Sequence, residues 1–185
     1  MRVSREEMDR SHERIVSGAS RLLRENGLEN TSVADVMQAA GLTHGGFYRH
    51  FETKTALVES AIQSAFSQMT ELIEQNLGDK PPAIGRQMLH DYYLSEKHLG
   101  HPGSGCPVAT LAGDIARAEA DLKTVFGQGV EQMLRAVALC HTGAQEARET
   151  AAIRDFARLV GAAVIARACD PEIAQTVLAA CRTPA

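Results

Sequence analysis

Residues 31–58 read TSVADVMQAAGLTHGGFYRHFETKTALV, and this stretch is the most informative about the fold. Its apolar residues first recur at i, i+3, i+4 and i+7, which predicts a short helix that Gly41 ends. Phe47 and Phe51, four residues apart, then face a common core from a second short helix. Two short helices joined by a glycine-containing turn are typical of a helix-turn-helix.

Helical patterning continues on both sides of this stretch. An apolar stripe over 6–26 predicts a first helix, so three helices form within the first fifty residues or so. Thr31 or Ser32 is expected to cap the second helix, Thr43 the third, and Thr53 a long helix over about 54–77. Later stripes predict helices over 84–92, over 153–168, and over 171–182 after a cap at Asp170. A further stripe runs from Pro107 to about Cys140, with either a break near 120–121 or a bend at Gly127 and Gly129. The glycine-rich segment 98–105 is predicted to be a loop.

Composition supports an all-α protein. The chain has 185 residues, is 44% hydrophobic, and contains more alanine than valine and isoleucine together. Alanine is the best helix former, whereas β-branched residues favour strands. No apolar run approaches the roughly 18 residues that a membrane helix needs, and the N-terminus has no apolar signal core. We therefore expect an all-α, cytoplasmic protein that does not enter a membrane.

The charge gives no bulk support to nucleic-acid binding. The net charge is −4, and residues 1–60 carry eight Lys and Arg against nine Asp and Glu. A DNA-binding domain usually has a basic footprint. Any contact with DNA must therefore come from the local placement of a few side chains.

The second short helix presents polar groups that suit DNA. With the two phenylalanines inward, its outward positions are Thr43, His44, Gly46, Tyr48 and His50. Hydroxyls and imidazoles bind phosphate oxygens or base edges. Lys54 adds a cation beside the amide-rich start of the long helix, where phosphates bind well. The pattern alone leaves open a plain three-helix packing unit with a polar surface.

The same stretch resembles the DNA-binding signature of TetR/AcrR-family transcriptional regulators. The residues whose spacing agrees are Thr31, Gly41, Phe47-Tyr48, His50-Phe51 and Lys54. The resemblance covers roughly residues 12–62. Gly46 departs from it, because the family usually has Ser or Thr there. A glycine pair at 45–46 lowers helix propensity by about 1 kcal/mol per residue.

The resemblance implies a ligand-responsive homodimer that needs no cofactor, most often a repressor. Its helix-turn-helix head, residues 1–53, is expected to bind a palindromic double-stranded operator. Its C-terminal helical body, residues 54–185, is expected to bind a small-molecule effector and to dimerise. The DNA contacts assigned on this basis are Thr31, Ser32, Thr43, His44, Gly46, Tyr48, His50 and Lys54.

The resemblance also places an effector pocket among the central helices of the body. The candidates on those helices are Met69, Ile73, Met88, Tyr92, Cys106, Leu111, Phe126 and Met133. Methionines and few charges suit a hydrophobic or aromatic ligand. Ordinary core packing is the alternative for each residue taken singly.

The segment 98–107 has two chemical interpretations. His98, His101 and Cys106 are spaced compactly enough to bind zinc, although a loop with incidental histidines is favoured. Cys106 also precedes a helix N-terminus, where the dipole lowers the pKa of a thiol. It is therefore a candidate sensor of electrophiles, with a small structural residue as the alternative.

The last two helices are the expected dimer interface, as in the family that the sequence resembles. The stripe over 153–168 is the strongest in the chain, and its small residues permit close helix approach. The interface residues assigned are Ile153, Phe156, Ala157, Val160, Gly161, Val164, Ile173 and Val177.

Enzymatic activity is not expected, because the sequence has no Ser-His-Asp spacing, P-loop or GxGxxG motif. Two alternatives to a DNA-binding regulator are kept. One is an all-α adaptor without specific DNA binding, and the other is a thiol or metal protein based on Cys and His.

Overall fold

A computed structural model describes residues 4–183, which contain helices and no strand. The helices are α1 (Arg5–Asn26), α2 (Val33–Ala39), α3 (Lys54–Leu77), α4 (Pro82–Tyr93), α5 (Glu96–Gly100), α6 (Val108–Arg117), α7 (Ala120–Ala138), α8 (Gln145–Ala168) and α9 (Pro171–Arg182). Two 3₁₀ turns span His44–Arg49 and Pro102–Ser104. The all-α prediction is confirmed. The outer ends of the two predicted domains, 1–3 and 184–185, lie outside the described residues.

Side-chain caps fix where several helices begin. The Ser32 hydroxyl accepts the Asp35 amide at 3.1 Å, and the Asp35 carboxylate accepts the Ser32 amide at 3.0 Å. This reciprocal pair is a capping box, which satisfies amides that lack helical partners. The Thr53 hydroxyl accepts the Ala56 amide at 3.1 Å and starts α3. The predicted caps at Ser32, Thr53 and Asp170 are confirmed.

One predicted element differs in type, and another was wrong. The second short helix of the helix-turn-helix is present over His44–Arg49 as a 3₁₀ turn instead of an α-helix, since Gly45 and Gly46 have little preference for the α-helix. The predicted loop over 98–105 instead contains the end of α5 and the turn Pro102–Ser104. The predicted break near 120–121 is confirmed, because α6 ends at Arg117 and α7 begins at Ala120.

Helix α3 joins the two ends of the molecule. It packs against α1 in the head, and against α7 and α4 in the body. Phe66 on α3 lies over Gly129 of α7, where an added Cβ would overlap the ring. The buried apolar side chains form one continuous core, from Ile15 on α1 to Ala163 on α8. None of the helices within residues 4–183 is long and apolar enough to cross a membrane.

Candidate nucleic-acid interface and effector region

The head places one exposed turn beside two buried phenylalanines. Gly41 ends α2 with φ +68°, a left-handed conformation that side chains disfavour, and so turns the chain towards His44–Arg49. Phe47 and Phe51 are 2% and 6% exposed, and their rings stack at 5.9 Å. The predicted inward pair is therefore confirmed, and the turn is anchored to the core from beneath.

Polar side chains project from the outer side of this turn. Thr43, His44 and Arg49 are exposed, and Tyr48 is 73% exposed. Thr43 stands at the start of the turn but its hydroxyl makes no capping bond there, so the predicted cap at this residue was wrong. Arg49 is the cation of this surface that the sequence interpretation missed. Arg49 directly follows Tyr48. The spacing of the residues around it gave no indication that it would contribute to this surface.

Gly46 is half-buried and lies beneath this surface. A Cβ at Gly46 would come within 3.5 Å of the Met37 methyl group, which is ordinary contact, while Gly45 faces open space. A side chain at either position therefore fits the space available, so the glycines are not required there by close packing.

His50 is only half-buried, so it borders the exposed surface instead of projecting from it. Its ring lies 6.0 Å from the ring of His12 on α1, which in turn stacks on Phe51 at 4.7 Å. Burial lowers the pKa of His50, and the neighbouring His12 and Arg49 lower it further. The imidazole is therefore held towards its neutral form while no anion is near.

Two predicted DNA contacts have internal roles instead. Thr31 is 2% exposed, and its hydroxyl donates to the Gly27 carbonyl at 2.8 Å. Its assignment as a DNA contact was wrong, because burial and this bond tie it to the end of α1. Ser32 is exposed, yet its hydroxyl donates to Asp35 at 2.6 Å within the capping box.

Lys54 is exposed as the first residue of α3, as the sequence predicted. Its ammonium group lies 3.4 Å from the Leu28 carbonyl, a weak contact that leaves the group available to solvent. The cation thus stands beside the first amides of a helix, and both attract an anion.

The head is attached to the body through the end of α1. Arg24 is buried, and its guanidinium donates to Gln68 on α3 at 3.0 Å and to the Gly105 carbonyl before α6 at 2.9 Å. The Leu28 amide donates to Asp114 on α6 at 2.9 Å. The first turns of α6 are therefore held against the head by polar contacts.

The predicted effector residues do not line one common cavity. Ile73, Met88 and Tyr92 lie along a groove of 210 Å³ between α3 and α4, which we call the α3–α4 groove. The others lie in the closed core, which contains Met69, Cys106, Leu111, Phe126 and Met133. Within that core, Phe126 meets Phe66 edge-on at 5.1 Å. For these five residues the structure favours packing.

Cys106 is fully buried, so its assignment as an accessible sensor was wrong. Burial raises the pKa of the thiol, although the Tyr93 hydroxyl and amides at the start of α6 act in the opposite direction. The Cys106 amide donates to His98 Nε2 at 2.9 Å. His98 donates from Nδ1 to the Tyr93 carbonyl at 2.7 Å, so both ring nitrogens are occupied.

The zinc interpretation of the same segment is not supported. His98 has no free nitrogen to offer, and His101 is exposed at the end of α5. Among residues 4–183, no group of three or more His, Cys, Asp or Glu side chains is arranged to hold a metal ion.

The apolar residues that were predicted to form one stripe on α8 lie on two different faces of the helix. Phe156 is 5% exposed and packs near Tyr93, so its assignment to the dimer interface was wrong. The outer face of α8 carries Ile153, Ala157 and Val164 in exposed positions, with Val160 and Gly161 half-buried. Ile173 of α9 is exposed and Val177 is half-buried. A long apolar surface thus faces outward along both helices.

A buried charge holds α4 against α8. Asp155 lies on the inward face of α8, where Arg86 of α4 donates to its carboxylate at 2.9 Å. His90 of α4 places Nε2 at 3.3 Å from the same carboxylate. Burial raises the pKa of Asp155, but the bonds from Arg86 and His90 outweigh burial and hold it below its usual value.

Comparison with known proteins places the head in a defined family. Residues 15–61 match the family described as "Bacterial regulatory proteins, tetR family". "HTH-type transcriptional regulator AcrR" of Shigella flexneri is 33% identical over 78 residues, which are 42% of this chain and 33% of that protein. The chain thus matches about a third of the length of that relative.

Two further proteins extend the similarity into the body. "HTH-type transcriptional repressor DhaR" of Mycobacterium sp. (strain GP1) is 26% identical over 140 residues, which are 76% of this chain and 68% of that protein. The crystal structure of a TetR-family transcriptional regulator from Cytophaga hutchinsonii superposes with a TM-score of 0.77 at 17% identity, covering 98% of this chain and 95% of that one. The helix-turn-helix carries the family match, and the solved structure shares the fold of the body. The head of this chain thus matches the tetR family of bacterial regulatory proteins over residues 15–61, and the chain shares the fold of a solved TetR-family regulator.

Proposed function

We propose that the protein is a homodimeric repressor that binds a palindromic DNA operator and leaves it when a small hydrophobic effector binds the body. The observation that carries this proposal is the exposure of Tyr48. Among residues 4–183 it is the most exposed of the large apolar side chains, at 73%. A tyrosine held outward on a short, anchored turn is placed to meet a partner, and tyrosine hydroxyls bind phosphate oxygens.

The contacts to DNA are assigned to the outer side of the 3₁₀ turn. Thr43, His44 and Tyr48 reach base edges or phosphates, while Arg49 and Lys54 neutralise phosphates on either side. These two cations offset the acidic balance of the chain at the place where DNA lies. Thr31 and Ser32 act indirectly, because they fix the position of α2 and hence of the turn.

Assembly is assigned to the outer faces of α8 and α9. Of the residues described for α9, none is buried in the single chain, although the helix contains Ile173 and Val177. Exposed Val164 and half-buried Gly161 on α8 continue this surface. Two copies that pair through these faces would bury it, and the two heads would then read half-sites about 34–36 Å apart.

Effector control follows from the connection between body and head. An effector shifts an equilibrium only by its difference in affinity for the two states. The α3–α4 groove lies on the helix that also packs in the head, and Arg24 fixes that head to the body. A ligand in the groove is therefore placed to change the separation of the heads. The burial of Cys106 removes this thiol as the target of an electrophile, and the apolar groove suits a reversible hydrophobic effector.

Selection of DNA from a random duplex library tests the proposal. The full-length chain is expected to enrich a palindromic sequence, which then gives a Kd by fluorescence anisotropy. Tyr48→Ala is expected to weaken binding at least tenfold. Ile84→Ala, which removes an exposed apolar side chain far from the head, is the matched control and is expected to bind normally. Failure to enrich any sequence would count against the proposal.

A further inference from the structure

The α3–α4 groove is nearly apolar. Its walls include Leu72, Ile73, Met88 and Leu89, with Asn76 and Tyr92 as its polar members. Leu72 and Met88 are 37% and 39% exposed at its rim, so the groove opens to solvent. No charged side chain of the described chain lines it. A carboxylate or ammonium group placed there would lose its hydration without gaining a counter-ion, so the groove selects a neutral molecule.

The volume limits the size of that molecule. Sites for drug-sized ligands span about 300–1,000 Å³. The groove measures 210 Å³, which is below that range. An apolar cavity of about 150 Å³ in another protein holds benzene. The space here therefore fits one ring with a short substituent, and a larger molecule would project from the groove into solvent.

Two polar atoms within the groove are available to a ligand. The Asn76 amide donates to the Leu72 carbonyl at 2.7 Å, which leaves the Asn76 side-chain oxygen free to accept. Tyr92 also lines the groove and is half-buried, and within residues 4–183 no hydrogen bond engages its hydroxyl. A ligand with one hydroxyl or carbonyl group would satisfy one of them while its ring covers the apolar walls.

We propose that the α3–α4 groove binds a small neutral aromatic molecule, a single ring that carries one hydrogen-bonding group. Resting on the function proposed above, this molecule is the effector of the repressor. The class of ligand follows from three properties of the groove: it has no charged side chain, its volume is small, and it offers two available polar atoms.

Tyr92 connects this groove to the head. Helices α3 and α4 form an antiparallel hairpin, so Tyr92, near the end of α4, lies at the end of the groove nearest the head. Burial raises the pKa of Tyr92, and the Arg24 guanidinium is near enough to act in the opposite direction. A ligand that moves Tyr92 therefore acts beside the residue that joins α1 to Gly105.

Titration of the full-length chain with 4-ethylphenol, followed by NMR, tests the groove. Saturable binding is expected, and 4-ethylbenzoate, which is charged, is expected to bind at least tenfold more weakly. Met88→Trp fills the groove and is expected to abolish binding. Ile84→Trp adds the same bulk to α4 outside the groove and is expected to leave binding unchanged. Equal loss in both variants, or equal affinity for both probes, would overturn the assignment.

Tyr92→Phe tests the hydrogen bond separately. It is expected to weaken 4-ethylphenol about two- to tenfold, the range expected for one hydrogen bond, and to leave ethylbenzene unaffected. A loss for both probes, with the fold intact by circular dichroism, would contradict the role given to the hydroxyl.

The effector role is measured apart from the binding site. Saturating 4-ethylphenol is expected to weaken binding to the selected operator at least tenfold, and Met88→Trp is expected to remove this response. If the probe binds the groove but operator affinity stays constant, the effector half of the inference fails. If no operator is selected at all, the proposed function fails, whereas the NMR titration still decides whether the groove binds its ligand.

Discussion

The guanidinium of Arg24 donates a hydrogen bond to the Gly105 carbonyl across 2.9 Å, although 81 positions separate the two residues. Arg24 lies near the end of α1 in the head, and Gly105 lies in the segment that leads into α6. The same guanidinium binds Ser20 and Gln68, so its donors meet neutral acceptors on three segments. We infer that a change in the body reaches the head through this contact.

Arg24→Met is expected to destabilise the protein and loosen the head. Methionine keeps apolar bulk but leaves the buried Gly105 carbonyl without its donor, which costs about 1–3 kcal/mol. The free energy of unfolding in urea measures this. Arg21→Met is the matched control, because Arg21 forms an exposed pair with Glu25 and such pairs contribute less than about 1 kcal/mol. Equal effects in the two variants would show that the contact to Gly105 has no special role.

Two glycines on α7 allow the effect of close packing on stability to be measured apart from the effect of helix propensity. Gly129→Ala places a methyl group into the Phe66 ring, and such overpacking costs about 1–3 kcal/mol. Gly127 faces open space, so Gly127→Ala is expected to stabilise the helix by about 0.5–1 kcal/mol. Thermal unfolding of both variants checks the opposite signs. A stabilising Gly129→Ala would mean that α3 and α7 do not approach so closely.

The unfolding free energy is expected to fall under mild acid because of His98. Burial lowers the pKa of His98 to about 4, against 6.5 when unfolded. The unfolded chain therefore takes up a proton first, and stability present above pH 6.5 is lost progressively as the pH falls towards 4. The loss from this residue is at most about 3 kcal/mol.

Urea unfolding across this pH range measures the effect. His98→Gln cannot titrate, so its pH dependence is expected to be weaker by that amount. His101→Gln, at an exposed site on the same segment, is expected to keep the dependence of the unsubstituted protein. A His98→Gln profile that matches the original would contradict the assignment.

The spacing of neighbouring residues predicted where helices lie better than it predicted which of their faces are buried. Caps at Ser32 and Thr53 and the inward pair Phe47 and Phe51 follow from neighbours within one helical turn, and sequence shows such neighbours directly. Apolar residues lie on all sides of α8, so helical spacing alone does not show that Phe156 points inward and Ile153 outward. Only packing against the rest of the chain assigns each to its side.

Long-range contacts explain the remaining errors at the candidate sites. Cys106 lies in a polar, glycine-rich stretch, which gave no sign that His98 and Tyr93 would enclose it. Nothing in the sequence distinguishes Arg24, which is buried, from Arg21, which is exposed. Such roles depend on segments brought together by folding, and spacing within one helix does not encode them.

Charge placed on the outer face of α8 is expected to separate the dimer. Val164 is 45% exposed in the single chain, so Val164→Glu leaves the fold intact but would bury a carboxylate between two copies. Sedimentation is expected to show a folded monomer. Ile84→Glu, at a similarly exposed site on α4, is the control and is expected to remain dimeric. Dimers of Val164→Glu would place the interface elsewhere.

The salt dependence of DNA binding by Lys54→Ala tests most directly whether the exposed edge of the head neutralises DNA phosphates. The slope of log Kobs against log salt is expected to decrease by about 0.9, one phosphate's worth, with the same loss of affinity for operator and random duplex. Lys80→Ala, which removes an exposed lysine beyond the far end of α3, is expected to leave the slope unchanged. If Lys54→Ala keeps the original slope, or if both variants change it equally, the head does not meet DNA through the surface that carries Tyr48 and Lys54.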